Sequence, residues 1–559
     1  MKGTLSKALA KSVVSLLQER KSGTWLWFDT VALIAILGSM IGGAMMRRHL
    51  PSVPIPDSDS RGYLYPALSW LGGAGFQQSE GRDWLYPAIL AGILRLPGDF
   101  SAIVRVQQCL GLMAAPMIWG SFRTWLSLFS EQTKLLYLIA TPFGIIAAYL
   151  AVLNPSLALF EIAIRPEGVL GFFTLLYLFF LTAYLRARWQ RHRKWEATFF
   201  GAGCLALSYA VLLLRPSWSF TLAFTFFLLV SGSLGQQGLT IRLLPLLSGT
   251  ALIGALAIGP YFLGFRRDSA SKLFLPTTLV SIHAAQIVHN AEKNSSNKEG
   301  KAGGLDRETL LVQALRSVLP RAKQQPGYQY LGFNPDYIKY TSNVFGRLQQ
   351  TEHWSDNELA TACYSAYFHT WVGSPFAMLS KIVKQLSFFF FTKAGDLYTH
   401  SVTWQQIKDH LSGREVLTTA DSMPYLKNLP SYASYVERVD KAETAGWQIH
   451  GVSCLRVAAI LLSGIAPWIQ LAFAISLAVP FMRSEFSGAR LPALAVAIAA
   501  TIVYANAIVT SAAHSLGEWR YRAGYAPLFL VTLSMMAAFC LFVAARQTAS
   551  AMLRSPYQS

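Results

Sequence analysis

The stretch FDTVALIAILGSMIGGAMMRRHLPSVPIPDSDSRGYLYP (residues 28–66) joins an apolar run to a loop that carries two acids. As a helix, residues 28–46 are long enough to cross about 30 Å of hydrocarbon. The basic RRH ends the run, and Asp57, Asp59 and Arg61 follow in a segment rich in Pro and Tyr. A membrane tolerates such a segment only at its surface, so its carboxylates need a reason.

The rest of the chain repeats the first half of that pattern. Its 559 residues are 53% hydrophobic and only 14% charged, with mean hydropathy +0.36, a balance that excludes an ordinary soluble domain. Further apolar runs fall near 102–121, 134–153, 168–185, 196–214, 218–235, 243–264, 455–482, 489–512 and 525–545. Together with 28–46 they predict an all-α polytopic membrane protein of about ten spans. With both termini cytoplasmic, Arg123 and Lys134, the cluster RARWQRHRK (186–194), Arg242, Arg483 and Arg490, and Arg546 and Arg554 all face the cytoplasm. That alternation obeys the positive-inside rule. The net charge of +19 is therefore read as a surface for anionic lipid head groups, and nucleic acid is excluded as a partner. Five dispersed cysteines without a CxxC make neither a disulfide framework nor a metal knuckle.

Four regions follow. Residues 1–27 place Leu5, Leu9, Val13, Leu16 and Leu17 on one face with Lys7, Lys11 and Lys21 beside it, a cytoplasmic interfacial helix rather than a cleaved signal. Residues 28–264 form an N-terminal transmembrane module with an extracytoplasmic first loop at 47–101. Residues 265–452 form an extracytoplasmic region, and 453–559 a second transmembrane module. The first loop breaks the charge rule with Arg47, Arg48, Arg61, Arg82 and Arg95, and phosphate binding is one reason it would. Within the extracytoplasmic region, 375–391 sets Phe376, Leu379, Ile382, Val383, Leu386, Phe389 and Phe390 at helical spacing, opposite Lys381, Lys384 and Gln385. That pattern predicts a helix lying in the outer interface.

Four charged clusters fall on the outer side. The first is Asp57, Asp59 and Tyr63, with Arg82 and Tyr86 in GRDWLYPAIL. Here Asp and Ser suit a helix N-terminus, and a carboxylate beside tyrosines and an arginine also suits a general base near an anion. The second is FEIAIRPEGVLGFF (160–173), with Glu161, Arg165 and Glu167. Glu161 and Arg165 stand i, i+4, so either a local salt bridge or a shared aqueous cavity accounts for them. The third is Arg215 beside Trp218 in a short outer hairpin, either snorkelling to the interface or neutralising a lipid phosphate. The fourth is AHSLGEWRYRAGYAP (513–527), with His514, Glu518, Arg520 and Arg522. Convergence of the four would build a cavity of carboxylates and guanidinium groups at the outer membrane face, where Arg is the better phosphate ligand.

At these residues the chain resembles the membrane-embedded GT-C glycosyltransferases, which take sugars from polyprenyl-phosphate donors. The resemblance rests on the Asp59-Ser-x-x-Tyr63 loop, Arg82 with Tyr86-Pro87, Glu161 with Arg165-Pro166-Glu167, and Glu518-Trp-Arg-Tyr-Arg. It covers most of the helical frame but not 265–452, and the Trp-Trp-Asp signature of oligosaccharyltransferases is missing. The resemblance implies a GT-C-like bundle with a large outer region in a bacterial plasma membrane. It implies Asp59 as the base, with Asp57 as the spare. Tyr63, Arg82, Tyr86, Glu161, Arg165, Glu167, Arg215, His514, Glu518, Arg520 and Arg522 would bind donor or acceptor. The acceptor would be a glycan, lipid or protein. No metal ligand is assigned, although the Asp57-Ser-Asp59 pair leaves a divalent cation open. A lipid-linked saccharide flippase is the rival class, disfavoured because the charges sit at loop ends and no halves repeat. A polymerase or ligase would share the same outer site.

Overall fold

The structure, a computed structural model, describes residues 25–77, 82–96, 99–233, 239–262, 269–295, 306–328, 330–392, 398–399, 401–411, 431–515 and 519–554. The expected interfacial helix at 1–27 lies almost wholly outside them.

Helix α1 (Trp25–Arg47) is the first span. Two short helices follow in the first loop, α2 (Ser60–Leu71) and α3 (Leu85–Arg95). The bundle continues with α4 (Ser101–Leu126), α5 (Lys134–Val152), the one-turn α6 (Pro155–Phe160), α7 (Glu167–Leu185) and α8 (Lys194–Leu214). Helices α9 (Ser219–Ser233) and α10 (Leu239–Phe262) close the N-terminal module against α8. The last module holds α19 (Ser453–Ser476), α20 (Val479–Met482), α21 (Arg490–Ala513) and α22 (Trp519–Arg554). Among the described residues, eight helices are long and apolar enough to cross a membrane. The other two expected spans, 218–235 and 243–264, appear as the shorter apolar segments Pro216–Ser231 and Leu243–Ile258.

The lipid-facing sides are legible in what is left exposed. On α1, Trp27, Leu33, Ile34, Leu37, Ile41 and Met45 are exposed at helical spacing, and α19 shows the same stripe in Val457, Ile460, Leu461, Ile465 and Trp468. In water such stripes would be costly, whereas in hydrocarbon they are at home. Helix α22 is the most enclosed span and packs on α5, α7, α19 and α21.

Several starts are set by local chemistry. Thr133 accepts from the Leu136 amide to open α5. Asn154 accepts from the Ser156 amide to open α6, with Pro155 at its first position.

Region 265–452 is helical too, in α11 (Ser269–Ile282), α12 (Ala284–Ser295), α13 (Arg307–Gln324), α14 (Val344–Thr351) and α15 (Asp356–Gly373). Ser355 and Glu358 form a reciprocal capping box at the start of α15. These helices enclose their own core of Val280, Ile287, Leu311, Leu315, Ile338 and Leu359. Helix α16 (Pro375–Ser387) follows, and of the apolar face expected in the interface Phe376, Leu379 and Val383 are exposed, whereas Ile382, Phe389 and Phe390 are buried in the protein. Lys381 and Gln385, expected on the solvated face, are instead buried against the protein. Two three-residue strands, β1 (Ser401–Thr403) and β2 (Gln448–His450), pair antiparallel, with α17 (Trp404–Leu411) and α18 (Ser431–Ala445) between them.

Candidate active site

Asp57 and Asp59 are two residues apart and take different places. Asp57 is fully buried. Its Oδ1 accepts from the Asp59 amide at 2.9 Å, the Ser60 amide at 2.9 Å and the Ser60 hydroxyl at 3.0 Å, which fixes the turn that opens α2. Its Oδ2 pairs with Arg165 Nε. The helix-start reading of the acids thus belongs to Asp57.

Asp59 faces a cavity of about 420 Å³. Arg82 Nη2 lies 2.8 Å from its Oδ1 and Arg165 Nη1 lies 3.0 Å from its Oδ2. Two guanidinium groups thus hold one carboxylate at the cavity wall. Arg165, bridging both acids from behind, ties the first loop to the segment before α7. The Ile55 amide adds a 2.7 Å bond to the Ile162 carbonyl at the same junction.

The i, i+4 pairing of Glu161 with Arg165 does not form, because residues 161–166 are not helical. Glu161 is held instead by Arg47 at the end of α1, in a two-pronged bridge with Nε–Oε2 and Nη2–Oε1 both 2.6 Å. The remaining Arg47 Nη1 donates to the carbonyls of Gly43 at 3.1 Å and Val152 at 2.9 Å. Burial pushes the Glu161 carboxyl above the usual range, and Arg47 opposes that shift. Glu161 and Glu167 face a separate small void beside Gly111 and Gly168, not the main cavity. Two of the five arginines that seemed in excess in the first loop, Arg47 and Arg82, are therefore matched by internal acids.

Tyr63 and Tyr86 meet edge to face, with ring centroids 5.3 Å apart, at the cavity wall. The Tyr86 hydroxyl donates to Gln107 Oε1 at 2.9 Å, and Gln107 Nε2 donates to the carbonyls of Glu161 and Ala163. Burial pushes the Tyr86 hydroxyl well above the ordinary phenol range. Arg82 also lies over the rings of Tyr63, at 5.1 Å, and of Phe274, at 5.0 Å.

Across the cavity, Arg215 pairs with Glu167 and lies 4.9 Å from the centroid of the Tyr521 ring. Trp218 stacks on Tyr525 behind it, with centroids 4.9 Å apart. His514 lines the same wall, its ring 4.9 Å from that of Tyr521. Glu518 lies outside the described residues, and for Arg520 and Arg522 only the helical backbone of α22 is described.

Residues that carried no motif complete the lining. Asp83 comes from the first loop, Phe274 and Thr278 from α11, and Asp336, Lys339 and Tyr340 from the π-helical turn around Tyr337–Thr341. Lys339 Nζ donates to Thr278 Oγ1 at 2.5 Å and sits 3.7 Å from the Phe274 centroid. Asp83 was missed, although it stands next to Arg82 in the segment GRDWLYPAIL. Lys339 lies in a region whose sequence matched nothing, and no local signal marks it.

Neither a family model nor a curated protein sequence matches the chain. Among solved structures it is similar to the oligosaccharyltransferase AglB of Archaeoglobus fulgidus in complex with an inhibitory peptide and a dolichol-phosphate, at 9% identity and TM-score 0.38, over 95% of this chain and 53% of that one. The same archaeal enzyme with Zn and sulfate aligns at 13% identity and TM-score 0.37, over 94% and 51%. ArnT of Cupriavidus metallidurans bound to undecaprenyl phosphate aligns at 12% identity and TM-score 0.27, over 93% and 78%. The chain is an all-α polytopic membrane protein. It spans about half the length of the archaeal oligosaccharyltransferase structures it matches.

Proposed function

We propose that the chain is a membrane glycosyltransferase. It moves a sugar from a polyprenyl-phosphate carrier to an acceptor on the outer side of a bacterial plasma membrane. The observation that carries this reading is the single cavity at which Asp59, Arg82, Arg215 and His514 meet from segments far apart in the chain. An acid and several guanidinium groups at the outer ends of spans suit a phosphate-linked lipid and a polar acceptor.

In this reading Asp59 accepts the proton of the acceptor hydroxyl as that oxygen attacks the anomeric carbon. The bond from that carbon to the phosphate oxygen breaks, and its electron pair leaves with the polyprenyl phosphate. Arg215, which lines the cavity over the Tyr521 ring, is the guanidinium assigned to the developing negative charge. Arg82 and Arg165 orient Asp59. Tyr63 and Tyr521 give flat walls for the sugar or the first isoprene units. Asp57 serves the fold of the loop, since its oxygens are occupied by amides and Arg165.

The residues present do not fit a divalent cation. Asp57 and Asp59 are each matched by guanidinium, and no group of three or more His, Cys, Asp or Glu gathers among the described residues. No step is therefore routed through a metal.

The test is sugar transfer by the purified protein from a panel of polyprenyl-phosphate sugars, wild type beside Asp59→Asn. Transfer by the wild type that vanishes in a folded Asp59→Asn variant is the expected result. Equal transfer by both would remove Asp59 as the base. No transfer from any donor, with lipid moved between leaflets in vesicles, would favour the flippase.

A further inference from the structure

Helix α21 ends at the cavity, and its last carbonyls need partners because no following helical turn supplies amides. The Thr510 carbonyl is met by the His514 amide at 2.7 Å. The next partners come from the extracytoplasmic region. The Tyr367 hydroxyl of α15 donates to Ala512 O at 3.0 Å. Lys381 of α16 donates to Ser511 O at 2.6 Å and to His514 O at 2.8 Å. The third contact of its Nζ, at 2.8 Å, is Nε2 of His283, whose Nδ1 meets Leu279 O at 2.7 Å. Lys381 is 5% exposed and His283 is 0% exposed.

The hydrogens of this pair can be counted. Three carbonyls and one nitrogen-to-nitrogen bond require four hydrogens on Lys381 Nζ and the two ring nitrogens together. An ammonium with a neutral imidazole supplies four, and an amine with an imidazolium also supplies four. A doubly charged pair would set hydrogen against hydrogen, and a neutral pair would leave one acceptor unmet. Burial disfavours the charge on each member and so opposes the doubly charged pair, and the hydrogen count leaves one proton charge shared between them. The carbonyls around it come from the C-terminal ends of α11 and α21, where the helix dipole favours a cation. Other titratable groups here are Tyr367, whose ring lies 5.1 Å from that of His283, and His514.

We infer that Lys381 is a positioning residue that caps α21 and so fixes His514, and with it the Tyr521–Arg215 stack, on the cavity wall. The first link is direct: Lys381 binds the His514 carbonyl, the His514 ring packs on Tyr521, and Tyr521 lies under Arg215. The same Nζ holds the α11 wall through His283, next to the lining residues Ser281 and Ile282. The extracytoplasmic region thereby sets the geometry of the anion-binding side. The ligand part of this inference rests on the glycosyltransferase reading.

Full-length wild type and Lys381→Met are compared in two measurements. Hydrogen exchange of the peptide 507–515 reads the cap without any ligand, and the variant should exchange about tenfold faster there. Affinity for undecaprenyl phosphate in nanodiscs reads the wall, and the variant should bind about tenfold more weakly. Its melting midpoint should fall, because the buried carbonyls of Ser511 and His514 lose their donor, so affinity is read on the folded protein. A merely structural lysine would lower the midpoint and leave the affinity of the folded protein unchanged. If Lys381→Met does not fold, Lys381→Gln, which keeps an amide donor on a shorter, uncharged side chain, is read in the same way. Unchanged exchange overturns the cap whatever the lipid does. Faster exchange with unchanged affinity overturns the link to the wall. Faster exchange with no lipid binding even by wild type overturns the polyprenyl-phosphate reading and leaves the cap standing.

Discussion

Arg47→Met removes one partner of the most enclosed bidentate ion pair in the first loop. Arg47 and Glu161 side chains are 3% and 5% exposed, and both prongs are 2.6 Å. Breaking a buried pair from one side costs about 3–5 kcal/mol, because the remaining charge is uncompensated. Arg47→Met should therefore lower the melting midpoint in detergent by several degrees. The double variant Arg47→Met with Glu161→Met should recover most of that loss, since two apolar side chains leave no charge behind. The variant should also respond to pH. The folded state already holds the Glu161 proton more tightly than the unfolded chain, because burial raises its carboxyl above the ordinary value, and loss of Arg47 removes the opposing effect. A raised acid binds more protons folded than unfolded, so its contribution to stability falls as pH rises through the raised value. Below the ordinary glutamate range both states are protonated and the slope ends. Arg47→Met should thus be least destabilised in mild acid and worst at neutral pH. The assay is thermal unfolding of both variants across pH with sugar transfer beside it. A double variant no better than Arg47→Met would refute the reasoning. So would a Glu161→Gln variant that keeps its midpoint and loses transfer, which would return Glu161 to the substrate.

Gly111→Ala would drive its new methyl into Glu161 Oε1 and to 2.6 Å from Cδ, so it should mimic Arg47→Met in midpoint. A midpoint equal to wild type would show that the pair has room to shift. Phe376→Trp on α16 should be quenched by brominated lipids, because Phe376 is 84% exposed on the apolar face expected in the outer interface. Absence of quenching would put that face in water.

The membrane class, most of the span positions and the charged clusters at span ends were legible in sequence because apolar length and charge at span ends are local properties. Asp57, Asp59, Tyr63, Arg82, Arg215 and His514 could be singled out because hydrocarbon leaves charged groups few places to go. Which acid meets which arginine was not legible. Glu161 has Arg165 four residues away, yet pairs with Arg47 at a separation of 114 residues, because the chain leaves the helix at Glu161 and α1 brings its end there. Asp57 and Asp59 are near-equivalents in sequence, and only their surroundings make one a buried turn and the other a cavity wall. The lining from Lys339 and the cap from Lys381 arise in a region whose polar composition fits any solvated helix. Side-chain patterns repeat over a few residues, whereas a buried charge chooses its partner by distance in space, and that distance exists only once the helices are packed.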